Sequence, residues 1–254
     1  MRVAEVAIHT LKETIRDRVF VASLLFAVLI IGGSVGVGPL AAGQKDKVIK
    51  DIGLAAITAI GVFLAVFIGV SLVHREMERR TIHTLLARPV GRTEYLLGKY
   101  LGVVLTLGLN VAAMGAVYML LVHFYLGTLD AANAAAIYLI GVELAVIASF
   151  SVLFSVVSSP ALGGLFTLAL FFVGHLAEDA LRFAAMLPPG RGRAAAEALG
   201  FLIPNLELFN VKGMAVYGKP VGAGLLLWAT VYAIGIVAST LLVASVLFRR
   251  KDLQ

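Results

Sequence analysis

The sequence predicts an all-α membrane protein. It has six transmembrane helices, an N-terminal amphipathic interfacial helix, and a short re-entrant or external helical segment before the last span. Three observations predict this. First, Asp, Glu, Lys and Arg make up only 14% of the 254 residues. They are absent from Val19–Gln44, Ile52–His74, Tyr100–Leu129 and Pro220–Phe248, and only Glu143 interrupts Ala131–Ala177. A helix of ~20 apolar residues crosses the ~30 Å hydrocarbon core, so each run is long enough to span it. Second, Ser158-Ser159-Pro160 divides the longest run, because proline removes a backbone donor and drives its predecessor out of helical geometry. Third, the opening 18 residues follow a different period from everything after them.

The expected spans are therefore about 19–40, 52–74, 99–127, 131–157, 161–183 and 222–248. Ahead of them, residues 1–18 place Val3, Val6, Ala7, Thr10, Leu11, Thr14 and Ile15 on one helical face. Arg2, Glu5, His9, Lys12, Glu13, Arg16 and Asp17 occupy the other. That spacing describes an amphipathic helix seated at the inner membrane boundary, its basic residues near anionic headgroups. A cleaved secretory signal ending near Ala41-Ala42-Gly43 fits less well, since the basic start also carries acidic residues and the apolar run is too long. Residues 19–254 form the six-span domain.

Orientation follows from the lysines and arginines. With the N-terminus inside, 13 of the 21 fall in cytoplasmic segments and 8 in external ones. The positive-inside bias then puts both termini in the cytoplasm of a multi-pass protein of the inner (plasma) membrane. The same bias accounts for the net charge of +6, and no basic patch interleaved with aromatics points to nucleic acid. Cysteine is absent, which removes disulfides and thiolate metal sites.

Several spans carry small residues at close spacing, Gly32 with Gly36 and Gly98 with Gly102 among them, which lets helix backbones approach. Between about 184 and 221 the chain reads as neither span nor soluble domain. Pro188-Pro189-Gly190 ends a helix, Ala194–Ile203 has helix-forming composition, and Pro204 stops it. Leu206, Leu208, Phe209 and Val211 are apolar for a free loop. A hairpin dipping into the outer leaflet explains them, since irregular backbone at that depth must be buried in protein. An external loop packed over the helix ends is the alternative.

The most polar interruption is HREMERRTIHTLLARPVGRTEYLLGKY, which sets nine charges into residues 74–100. Glu76 and Arg80 stand at helical i, i+4 spacing. Ile82, Leu85 and Leu86 make an apolar patch, Pro89 ends that helix, and Gly91 with Glu94 three residues on begins another. A joining loop needs only a few residues. This one builds a short cytoplasmic helix suited to docking in a partner's groove.

ERRTIHTLLARPVGRTEYLLGKYLG, residues 78–102, closely resembles the segment between the second and third spans of ABC-2 type transporter permeases. The similarity is strongest to the branch that includes permeases of copper-enzyme maturation systems. PNLELFN, residues 204–210, is similar to a second motif of that branch, and the span layout matches over essentially the whole chain. The resemblance implies a homodimer of permeases carrying two copies of a cytoplasmic ATP-binding subunit, with about 76–92 as the coupling helix. Glu78, Thr81, Leu85, Leu86, Arg88 and Pro89 match the motif. Glu76, Arg79 and Arg80 share its helix, and Arg92, Glu94 and Lys99 anchor the third span. ATP and Mg would sit on the partner, with no cofactor in this chain.

The residues agree that hydrolysis belongs elsewhere. A phosphate-binding loop needs Gly-x4-Gly-Lys-[Ser/Thr]. Gly98-Lys99 is the nearest approach, but Tyr100 follows and no glycine stands at 93. His74 and Glu78 lack a third metal ligand, and the spans carry neither a serine–histidine motif nor paired aspartates for a protease. We therefore expect a transport subunit that is not itself an enzyme.

An ionisable group inside a span is by default functional. Asn110, Glu143 and His175 fall at similar height and suggest a polar belt along a substrate pathway, or a packing network. Glu178, Asp179 and Arg182, with Pro204, Asn205 and Glu207, suggest an external gate. The alternative function is an ion-coupled secondary transporter or channel using Glu143 and His175. No Cys or Met cluster backs a copper cargo, and lipids, peptides and small hydrophobic molecules fit the apolar spans equally.

Overall fold

A computed structural model describes residues 2–16, 18–38, 43–78, 91–127, 130–186, 188, 190, 192–193 and 203–250. The helices are α1 (Arg2–Ile15), α2 (Arg18–Val37), α3 (Lys45–Glu78), α4 (Arg92–Leu126), α5 (Ala131–Val157) and α6 (Pro160–Met186). A 3-10 turn over Glu207–Phe209, a short α7 (Lys212–Val216) and α8 (Ala223–Arg250) complete the order. Six of them, α2 to α6 and α8, are long and apolar enough to cross a membrane.

The helices begin and end where local chemistry dictates. Ser158 leaves α5 in extended geometry (φ −131°, ψ 173°), and Pro160 opens α6 at once, so the serine–proline break is a tight joint. Gly91 precedes α4, and its N–H donates to Glu94 Oε2 at 3.3 Å, the reach-back that the spacing predicts. Gly127 closes α4 in the left-handed region at φ 67°, where a side chain would be strained.

The two longest helices run well past their charge-free windows. α3 has 34 residues and α4 has 35. At 1.5 Å per residue each is roughly 50 Å long, against a core of ~30 Å. A charge-free run marks only the part of a helix inside hydrocarbon; the helix continues wherever its flanking charges find partners. At one end of the bundle, Lys50 donates to Asp130 at 2.7 Å, and Lys47 Nζ lies 4.7 Å from the Tyr217 ring centre. At the other end of the bundle, the Arg249 guanidinium donates to Thr93 Oγ1 at 2.9 Å and ties the end of α8 to the start of α4.

α3 and α5 form the centre. Their span windows are 67% and 61% buried, against 28% for α2 and 22% for α6. α4 runs antiparallel to α5, as shown by Tyr118 Oη donating to Asn133 Oδ1 at 3.0 Å and Tyr100 Oη donating to the Ala145 carbonyl at 3.1 Å. α3 and α5 run in the same sense, with Leu144 seated on Gly61 and Ser151 on Gly69. That alternation is what successive crossings require.

The apolar stripe of α1 rests on α4. Ala7 and Thr10 are buried, Val3, Val6, Leu11 and Ile15 half-buried, and Glu5, His9, Lys12, Glu13 and Arg16 exposed. Two glycines make the contact. A Cβ on Gly98 would lie 2.7 Å from Val6 Cβ, and one on Gly102 would lie 2.5 Å from Thr10 Cβ and 2.9 Å from the Ala7 carbonyl oxygen. The pairs rise together, so α1 runs along α4 in the same direction, held by a protein surface in addition to any membrane boundary. Gly32 and Gly36, with the same spacing, meet no atom within 4 Å among the described residues.

Substituting Gly102→Val should push α1 off α4, because the Ala7 carbonyl cannot yield as a flexible side chain can. We expect a loss of about 1–3 kcal/mol, typical of overpacking. Amide exchange across residues 2–15 should rise while the crossing helices stay protected, read by thermal unfolding and hydrogen exchange in detergent.

Candidate functional site

Glu143 stands in the middle of α5, fully buried, with no hydrogen-bond donor to either carboxylate oxygen among the described residues. His175 of α6 places Nε2 3.5 Å from Glu143 Oε1. The ring is fixed from behind: Nδ1 lies 3.1 Å from the Phe171 carbonyl oxygen, and the Phe171 ring centre is 4.7 Å away. Both residues lie about 21 Å along their helices from the Ser158–Pro160 joint, so the joint itself sets them at one height.

Beside this pair the chain returns as PNLELFN. Leu206 is fully buried and its N–H donates to the Gly174 carbonyl at 3.0 Å. Gly174 is required there, since a Cβ would stand 2.7 Å from Leu206 Cγ and 3.0 Å from the Pro204 carbonyl oxygen. The Asn205 N–H donates to Tyr232 Oη at 2.9 Å, and Asn205 Oδ1 accepts from the Glu207 N–H at 3.0 Å. Asn210 Nδ2 donates to Glu207 Oε1 at 2.8 Å. Phe209, Val211 and Ala215 are buried, so the whole segment is packed into the bundle against α3, α5 and α6. Lys212 and Glu207 set opposite charges on this segment, which packs against α5.

The three members of the expected polar belt do not meet as one group. Glu143 and His175 pair, whereas Asn110 Nδ2 donates to Ser23 Oγ of α2 at 3.3 Å. The two halves of the expected gate are also separate. Glu178 and Arg182 bridge each other on the exposed flank of α6, and Asp179 is exposed. Pro204, Asn205 and Glu207 belong to the packed turn, and no hydrogen bond or ion pair joins the two sets among the described residues. Of the coupling residues, Glu76 and Glu78 lie in the last turn of α3, and Arg92 and Glu94 open α4. Arg79, Arg80, Thr81, Leu85, Leu86, Arg88 and Pro89 fall outside the described residues, as does all of the expected helix Ala194–Ile203 except Ile203.

Sequence reading missed Ser23 and Tyr232. Each is a hydroxyl in a charge-free run, which is a weak signal because a serine in a helix often bonds its own backbone. Ser23 does so with the Phe20 carbonyl at 2.7 Å as well as receiving Asn110. Only the tertiary partner separates such a residue from the many that serve packing alone.

Gly174→Val should dislodge the PNLELFN turn, whereas Gly164→Ala should not, because a Cβ there meets Val66 Cγ1 at an ordinary 3.6 Å. We expect faster amide exchange over 203–217 and a melting point lowered by several degrees in the first protein only.

Comparison with known proteins bears on the whole chain. No curated protein matches it. The sequence profile of the ABC-2 family transporter proteins matches residues 4–253, from the first helix through the last. An all-α bundle with six helices able to cross a membrane is what such a transmembrane subunit requires. The chain therefore belongs to the ABC-2 family of transporter proteins, as the membrane permease component of an ATP-driven transporter that works with a cytoplasmic ATP-binding subunit.

Proposed function

We propose that the chain is the permease of an exporter, acting as a homodimer with two copies of the ATP-binding subunit, and that residues 76–92 are the element those subunits grip. ATP and Mg would be held by the partner. One observation carries this reading: the segment joins the two longest helices of the bundle, both of which overrun the membrane core. A push on it is delivered to two rods of roughly 50 Å, one of them central.

α4 is the better lever. Arg92–Lys99 precede its charge-free part, so about 12 Å of helix stands out from the hydrocarbon. That start receives Arg249 from the end of α8, and α1 lies on α4 at Gly98 within it and at Gly102 just beyond it. Rigid-body movement of α4 would therefore carry both neighbours with it. Loading from the cytoplasmic side is supported by an apolar groove of about 520 Å³, open on the flank of the bundle between α3 and α6 and lined by Phe63, Phe67, Val70, Pro160, Leu165 and Leu168. It lies in the half of the bundle next to the coupling element. The 203–217 segment, packed beside Gly174 about 21 Å along α6 from the Ser158–Pro160 joint, serves in this reading as the re-entrant outer closure.

Replacing both Leu85 and Leu86 with arginine tests the grip. Each buried leucine contributes about 1.5–3 kcal/mol, so the subunits' affinity should fall by at least tenfold. The ATP-binding subunit should no longer copurify, and its stimulated hydrolysis should fall, while the amount of inserted permease is unchanged. Copurification and transport at unaltered levels would refute the assignment.

A further inference from the structure

We propose that Glu143 and His175 bind one shared proton, and that this buried proton holds the 203–217 segment against α5 and α6. The assignment rests on the approach of His175 Nε2 to a fully buried carboxylate and on the tautomer that the Phe171 carbonyl selects, and is independent of how the ATP-binding subunit is gripped.

A backbone carbonyl only accepts, so the 3.1 Å contact between His175 Nδ1 and the Phe171 oxygen requires a hydrogen on Nδ1. In a neutral ring that leaves a lone pair on Nε2, the nitrogen facing Glu143 Oε1 at 3.5 Å. An ionised carboxylate would then present lone pairs to a lone pair, at a position with no solvent exposure and no other donor among the described residues. Burying a carboxylate in that state is prohibitive. One added proton resolves the conflict at either end: Glu143 becomes a carboxylic acid that donates to Nε2, or His175 becomes an imidazolium paired with the carboxylate. The pair is neutral in both forms, and the proton is its ligand.

The surrounding charges are few. Lys212 of α7 and Glu207 of the 3-10 turn carry opposite charges on the segment packed against α5, and on α6 itself Glu178, Asp179 and Arg182 follow His175, with Glu178 bridged to Arg182. From α4 come Tyr100, bonded to the Ala145 carbonyl, and Tyr118, bonded to Asn133; from α8 comes Tyr232, bonded to the Asn205 N–H. The charge-free parts of α3 (52–70), α4 (100–122) and α8 (223–248) bring no Asp, Glu, Lys, Arg or His. The turn depends on this spot directly, because its Leu206 N–H is held by Gly174, the residue next to His175. Removing the proton at high pH leaves an unbalanced charge between α5 and α6 and loosens that hold.

The test uses the full chain in lipid nanodiscs, with two readouts. Infrared and nitrogen-15 spectra should show a carboxylic-acid carbonyl band that vanishes in Glu143→Gln, or an imidazolium at His175. An ionised carboxylate beside a neutral imidazole at low pH would overturn the proposal. Amide protection over 206–211, corrected for intrinsic exchange, should fall by at least tenfold as pH rises between about 5 and 10. In Glu143→Gln, which cannot hold the proton at residue 143, that step should be abolished or moved to another pH. If that variant does not assemble, His175→Gln removes the imidazole beside Glu143 and should displace the midpoint. Protection that ignores pH in the parent protein, or one midpoint shared with the variants, sinks the idea.

Discussion

Hydrocarbon offers a backbone amide no partner, so a chain that crosses it must satisfy its own N–H and C=O groups. This constraint explains why the spans are helices, and why the non-helical turn packed among them is so heavily bonded. Around PNLELFN the Asn205 N–H goes to Tyr232, Leu206 to Gly174, Glu207 to the Asn205 side chain, and Asn210 to the Glu207 carbonyl. The motif is thus a solution to a solvation problem first. Its asparagines and its buried Leu206 and Phe209 are what allow a non-helical turn to sit inside a bundle of spans.

Burial is graded across the bundle. α3 and α5 are enclosed, while α2, α6 and α8 keep broad apolar faces such as Leu25, Phe26, Phe172 and Trp228 toward lipid or another chain. α4 links the two regimes. It shares hydrogen bonds with α5 through Tyr100 and Tyr118, receives α2 through Asn110 and Ser23, and carries α1 and the end of α8 at its base. A helix with so many neighbours resists bending and is suited to passing displacement from one face of the membrane to the other. That suits a subunit whose energy source is in water and whose cargo path is in lipid.

Much of the fold was legible because its signals are local. Charges mark where hydrocarbon ends, Pro160 marks a joint, and Gly91 with Glu94 marks a helix start; each depends on neighbours within four residues. The overrun of α3 was not legible, because it depends on Lys50 reaching Asp130, which is 80 residues away. The same holds for the candidate site. Glu143 and His175 could be placed at one height by counting from the joint, but rotation about each helix decides whether two such groups meet. Rotation brought these two together and sent Asn110 to Ser23. The stripe on α1 was visible, but the protein surface beneath it was not, because two glycines can serve any helix that happens to lie alongside.

The joint at Ser158–Pro160 gives α5 and α6 a common origin from which depth is measured. One residue inserted into α6 below Gly174 would lift everything beyond it by about 1.5 Å and swing it through roughly 100°. The imidazole would leave Glu143 and the Gly174 carbonyl would leave Leu206 in the same step. The length of that leg is therefore constrained as tightly as any side chain it bears, and deletions or duplications there should be tolerated far less than substitutions on its lipid face.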